Sequence, residues 1–213
     1  MVRRFALFTA LAVAGVVSLV GSMPLFAQDA PATCASALWL EPTATPEETA
    51  DPAVTEITEP APVWMTTELT DACSGETFAL DDFAGKTVYL EAMATWGPPC
   101  RDQLARVKEA AAQIPAAERE EIVFVALSSE VDLPRQVFAE YAAANDFPFI
   151  FAVMPAAMLQ VMVDDLGQEI AVPPATPHLI VAPDGTIGEV HTGSASAEDV
   201  LALLADAAKS AAS

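Results

Sequence analysis

Positive charge is what this sequence has least of. Nine Lys and Arg stand against 30 Asp and Glu in 213 residues, a formal charge of −21. A phosphate backbone or an anionic membrane surface calls for the opposite sign, so no nucleic-acid partner is expected. Histidine occurs only at 178 and 191 and cysteine only at 34, 73 and 100, with no C-x-x-C and no H-x-x-x-H pair. That is too few soft ligands at metal spacing for a zinc or copper centre, and neither metal nor cofactor is expected. The methionines do not change this, because Met154, Met158 and Met162 recur at helical spacing, the mark of a core-facing stripe. What the chain does have is apolar residues, 53% of the total, which excludes a wholly disordered protein. Its length suits one domain with appendages.

The first appendage spans residues 1–28. Arg3 and Arg4 precede an apolar run from Phe5 to Phe26, the pattern of an export signal. The run is longer than a usual signal core and long enough to cross a bilayer, so a cleaved signal and a retained membrane tether through residues 5–26 both fit. The two arginines place the rest of the chain outside the cytoplasm in either case, on a periplasmic or extracellular face. Residues 29–61 are rich in Pro, Ala, Thr and Glu, contain no base and show no apolar period. They read as a disordered acidic linker, interrupted only by Cys34 and by Leu38, Trp39 and Leu40.

Residues 62–213 carry the folded domain. Short strand-like runs at Pro62–Thr70 and Thr77–Leu80 flank Ser74-Gly75, so a hairpin leads in. Thr87–Ala94 is an apolar run suited to a strand buried on both faces, and Pro98–Ile114 follows as a helix. The alternation continues through strand Ile122–Ser128, helix Pro134–Asn145, strand Phe149–Val153 and helix Pro155–Leu166. After the loop Val172–Pro177, strands His178–Ala182 and Thr186–His191 enclose the turn Pro183-Asp184-Gly185. Ser196 and Asp199 form a capping box for a last helix ending near Lys209. The predicted fold is α/β, a mixed central sheet flanked by helices on both faces, with an N-terminal β-hairpin extension.

At the end of the first long strand stands Ala94-Thr95-Trp96-Gly97-Pro98-Pro99-Cys100-Arg101. This resembles the W-C-P-P-C-R active site of the thioredoxin superfamily, and in particular of exported TlpA-type thiol-disulfide oxidoreductases. The resemblance covers roughly residues 61–205 and includes Thr176-Pro177 followed by a strand and Pro-Asp-Gly-Thr. It implies a thioredoxin-like fold, a cis peptide at Pro177, and a groove shaped by Trp96, Gly97, Pro98, Pro99, Thr176 and Pro177. It also implies that Trp96 shelters the site, and that Glu91 corresponds to the buried acid that moves the proton of the second thiol.

Glycine, however, stands where the family has its attacking cysteine. Without sulfur at 97, the dithiol cycle cannot run through positions 97 and 100. Cys100 then has two readings: an inert buried hydrophobe, or a sulfur opened to solvent by the missing side chain at 97 and acidified by the helix N-terminus. Glu91 likewise is either a buried acid with a raised pKa or a strand-end residue reaching solvent. Outside the cytoplasm thiols tend to pair, and Cys34 with Cys73 is the favoured pair because a linker can reach an edge hairpin. Unpaired cysteines are the alternative. The leading functional reading is an extracytoplasmic thioredoxin-family protein acting on client protein thiols, at most as a monothiol through Cys100 with Glu91 as proton acceptor. The rival is a redox-inactive module that binds an extended peptide or protein in the same groove.

Overall fold

A computed structural model describes Cys34, Ala35, Ala37 and residues 61–210. The expected leader and nearly all of the expected linker lie outside the described residues. Among the described residues, no helix is long and apolar enough to cross a membrane.

The lead-in hairpin is shorter than the sequence suggests. Its strands are β1 (Leu69–Thr70) and β2 (Thr77–Phe78), paired antiparallel with Leu69 opposite Phe78. Residues 62–67 turn rather than extend. The Met65 amide donates to the Pro62 carbonyl at 2.8 Å, and the Thr67 hydroxyl donates to the Val63 carbonyl, also at 2.8 Å. This turn drives Trp64 wholly into the core. Asp71, also fully buried, fixes the hairpin to the edge of the main sheet. Its carboxylate accepts from the Ser74 amide and hydroxyl at 2.8 and 2.7 Å and from the Phe151 amide at 3.4 Å.

The main sheet follows the apolar runs. Strands β3 (Thr87–Met93), β4 (Ile122–Ser128), β5 (Ile150–Val153) and β6 (His178–Val181) lie in the order β5-β4-β3-β6. The first three are parallel and β6 is antiparallel to β3, which gives the mixed sheet. Every residue of β3 is buried, as a central strand covered on both faces requires. Val88, Leu90 and Ala92 face one core with Trp64, Phe83 and the methionines of α3 (Ala156–Leu166). Tyr89 and Met93 face the other, packed by α1 (Pro98–Gln113), α2 (Arg135–Ala144) and α4 (Ala197–Ser210). Met158 and Met162 are core residues, the role their spacing predicts. Full burial of each large apolar side chain contributes about 1.5–3 kcal/mol, so the two cores supply most of the driving force.

The start of α4 follows its sequence signal closely. Ser196 Oγ accepts from the Asp199 amide at 3.1 Å, while Asp199 Oδ2 accepts from the Ser196 amide at 2.9 Å. The expected strand Thr186–His191 is different. It bridges to β6 at Ile187–Val181 and His191–His178, with a Gly188 amide bond to the Ile180 carbonyl between them, and the spacing of the two bridges leaves one extra residue on the outer segment. That is a bulge, and it prevents a continuous ladder. Gly188 lies at its start, where a Cβ would come within 3.0 Å of the Ile180 carbonyl oxygen.

The expected cis peptide at Pro177 is not found, since no described peptide bond is cis. The chain reverses here through Thr176 instead, which adopts φ 49° and ψ 54°. A β-branched residue is strained in that left-handed region. Three hydrogen bonds hold it. The Thr176 amide donates to the Pro173 carbonyl at 2.8 Å, its hydroxyl donates to the Gly193 carbonyl at 2.8 Å, and its own carbonyl lies 2.8 Å from His178 Nδ1.

Candidate functional site

The site is built where β3 ends and α1 begins. Gly97 is the N-cap of α1, with Pro98 and Pro99 in the first turn. Proline suits those positions because the first amides of a helix have no internal partner. Glu130 fixes the connecting turn, accepting from the Thr95 amide and hydroxyl at 2.6 and 2.8 Å. Steric room does not require glycine at 97. A Cβ there would lie 3.4 Å from Cys100 Sγ and 3.7 Å from the Ala94 carbonyl oxygen, ordinary contact distances.

Cys100 is wholly buried, and the expectation of a solvent-opened, acidified sulfur is not met. The reason is a turn that no sequence pattern marks. The short 3₁₀ helix Pro173–Ala175 lies against the sulfur, and the thiol donates to the Pro173 carbonyl at 3.1 Å. Burial pushes the thiol pKa up, and the nearby Glu91 and Glu130 add to this, outweighing a backbone hydrogen bond at Ala94 that opposes it. A helix N-terminus acidifies a thiol only where desolvation does not win, and here it wins.

Glu91 is fully buried on the same side of β3, which removes its solvent-reaching alternative. Desolvation raises its pKa to about 8, although the Tyr89 hydroxyl donates to Oε2 at 3.3 Å. At neutral pH it is therefore mostly a neutral acid. Its Oε1 has no hydrogen-bond partner, and neither do Gln103 Nε2 and Tyr141 Oη, two other buried polar atoms beside the same core. Gln103 holds its other end, the side-chain oxygen accepting from the Ala195 amide at 2.9 Å. No sequence pattern singled out Gln103, Tyr141 or Pro173.

The groove residues divide. Thr176 and Pro177 are buried and their backbone groups are engaged, the Pro177 carbonyl accepting from the Ala92 amide at 3.0 Å. Trp96, Pro98 and Pro99 face solvent, joined by Val172 and Pro174 from the segment over Cys100. Trp96 is 63% exposed, so it is not the shelter of the sulfur, a role the Pro173 turn takes.

Cys34 and Cys73 form a disulfide with a Cα–Cα distance of 5.3 Å across 39 residues of sequence, and Cys100 is left as a thiol. Among the described residues, no group of three or more His, Cys, Asp or Glu side chains is placed to hold a metal. The rings of His178 and His191 stack with their centroids 5.7 Å apart.

Comparison with known proteins agrees with this architecture. A family model described as Redoxin matches residues 46–204. A thioredoxin-family thiol:disulfide interchange protein of Chlorobium tepidum is 16% identical, with a TM-score of 0.53 over 66% of this chain and 92% of its own. A secreted disulfide oxidoreductase of Mycobacterium tuberculosis is 16% identical, with a TM-score of 0.52 over 68% and 99%. An exposed lipoprotein thioredoxin of Streptococcus pneumoniae is 21% identical, with a TM-score of 0.51 over 66% and 98%. At such identities the likeness is one of fold. None of the curated proteins compared with the sequence matches it.

Proposed function

The chain belongs to the Redoxin family, and from that premise we propose that it is an exported member in which the thioredoxin-like fold holds an extended segment of a partner protein without a dithiol cycle. The observation that carries this reading is the pairing of Gly97 at the helix N-cap with a Cys100 that is wholly buried and hydrogen-bonded to the Pro173 carbonyl. A thiol-disulfide exchange step needs a thiolate that can reach its target. Cys100 has neither the exposure nor a lowered pKa, and Cys34 and Cys73 are already joined.

Trp96, Pro98, Pro99, Val172 and Pro174 offer an apolar surface at the site's mouth. Because the Thr176 and Pro177 backbones are occupied internally, recognition there falls to side chains rather than to strand addition. Export is supported by the leader pattern in residues 1–28 and by a disulfide of a kind that persists in oxidising compartments.

A second reading rests on Glu91. An acid kept wholly buried with one carboxyl oxygen unpartnered is costly, and its position beside Cys100 suits a thiol that exchanges protons when uncovered. Timed alkylation of the native and then the denatured, reduced protein, with peptide mapping of all three cysteines, separates the two. Labelling of Cys100 only after unfolding supports the binding module. Brisk labelling in the native state overturns it in favour of a monothiol that forms mixed disulfides with client proteins.

A further inference from the structure

The turn over Cys100 is thin. Pro173 is buried against the sulfur, while its neighbours Val172 and Pro174 both face solvent. From the α1 side the turn is held by the thiol's own hydrogen bond, and a thiol is a weak donor. The firmer hold comes from a different part of the chain. The Gly193 amide donates to the Ala175 carbonyl at 2.7 Å, the Thr176 hydroxyl donates to the Gly193 carbonyl at 2.8 Å, and His178 Nδ1 donates to the Thr176 carbonyl at 2.8 Å. The segment that carries Gly193 is in turn fastened to α1, because the Ala195 amide donates to Gln103 Oε1 at 2.9 Å.

Thr176 joins the turn to these partners, and its own backbone preference opposes the arrangement. At φ 49° and ψ 54° it occupies the left-handed region, which costs a β-branched residue most. It also precedes Pro177, and a residue before proline favours an extended backbone. Such a conformation persists only while its surroundings enforce it. Here the enforcement is a few hydrogen bonds from Gly193 and His178, not the packing of either core. An extended Thr176 would send the preceding residues in another direction, away from the sulfur.

We infer that residues 172–176 form a displaceable strap over Cys100, closed when Thr176 is left-handed and open when it is extended, and that the strap opens without unfolding of the domain. Opening exposes the sulfur and gives water a path to the wholly buried Glu91, whose Oε1 has no hydrogen-bond partner. Val172 and Pro174 belong both to the strap and to the exposed apolar surface at Trp96. A partner seated on that surface therefore bears on the strap directly. Only this last step rests on the proposed binding function, since the opening itself is a property of the free protein.

The test is alkylation of the full chain with excess N-ethylmaleimide, followed by intact mass in rising urea below the unfolding transition. With Cys34 and Cys73 bonded, Cys100 is the thiol that reacts. A strap that opens locally exposes little surface, so the rate should lie far below that of the denatured protein and stay nearly flat in urea. Thr176→Val removes the hydroxyl and keeps the branched side chain, and should raise the rate about ten-fold, the worth of one hydrogen bond. Thr176→Ser keeps the hydroxyl and removes the branch, and should react no faster than the natural protein. Tryptophan fluorescence in the same urea series gives the global transition of each variant, and the urea slope of the unsubstituted protein stands as a test by itself. A rate that climbs with urea as steeply as global unfolding overturns the strap and leaves the binding function standing. A flat rate that Thr176→Val does not change, or that Thr176→Ser accelerates, places the opening elsewhere and also overturns the strap. Native labelling as fast as that of the denatured protein overturns both, because nothing then covers the sulfur.

Discussion

The thiol of Cys100 and the carbonyl of Pro173, 73 residues apart in sequence, meet in a 3.1 Å hydrogen bond. That contact closes the Cys100 sulfur off from solvent. It also explains why a glycine at the helix N-cap does not expose the thiol behind it. The covering group comes from the far side of the chain, not from residue 97.

Placing a sulfur at 97 tests how much of a redox scaffold survives. In Gly97→Cys the new Cβ falls 3.4 Å from Cys100 Sγ, close enough for the two sulfurs to bond after small rotamer adjustment. With oxidised glutathione as the acceptor of two electrons and two protons, a 97–100 disulfide should form and should reverse with dithiothreitol. Intact-mass analysis reads the change. A folded variant that never closes this bond counts against an inherited redox geometry.

Glu91 should make the protein less stable as pH rises. Its pKa is about 8 in the folded state against an ordinary value of 4.5, so between those values the folded protein holds a proton that the unfolded chain has released. Stability is therefore greatest below about pH 4.5 on this group's account and declines through pH 8. The full shift corresponds to a loss on the order of 5 kcal/mol. Glu91→Gln, neutral and nearly isosteric, should flatten that decline and gain most at high pH. Urea unfolding on the acid side, near neutrality and above the folded-state pKa measures it, and an unchanged slope removes Glu91 as the titrating group.

Opening the Cys34–Cys73 bridge should lower stability without touching the site. Closing a 39-residue separation restricts the unfolded chain by about 4 kcal/mol in the chain-entropy picture. Denaturation midpoints with and without reductant should differ accordingly, with Cys34→Ser reproducing the reduced value. Because Cys100 is a thiol in both states, its labelling should not change.

The last helix offers a smaller, cleaner effect. Ser196→Ala removes the hydroxyl that accepts from the Asp199 amide, and should cost about 1 kcal/mol in thermal or urea unfolding. Asp199→Asn should cost less, because its side-chain oxygen can still accept from the Ser196 amide.

Local chemistry was the part of this molecule that its sequence displayed. Strand Ile122–Ser128 has the limits its apolar run suggests, and α1 starts at Pro98 because two prolines fit only a first turn. The Ser196–Asp199 box also follows from residue types at a given spacing, whereas the bridge between Cys34 and Cys73 was favoured over unpaired thiols only because a linker can reach an edge hairpin. The site was only half visible, because burial at Cys100 is decided by Pro173 and no spacing rule links those positions. The expected cis bond came with the family likeness, yet Thr176 reverses the chain by its own left-handed backbone, held by Gly193 and His178. The shortened outer segment at Ile187–His191 turns on one surplus residue, which alternation alone does not reveal.

The covalent bond between Cys34 and Cys73 also changes what proteolysis means for this protein. A protease that cuts once anywhere between residues 35 and 72 produces two polypeptides that remain a single particle, with the N-terminal piece still fastened to the domain. Such a cut alone therefore cannot shed the leader end, and release requires a reductant as well as a protease.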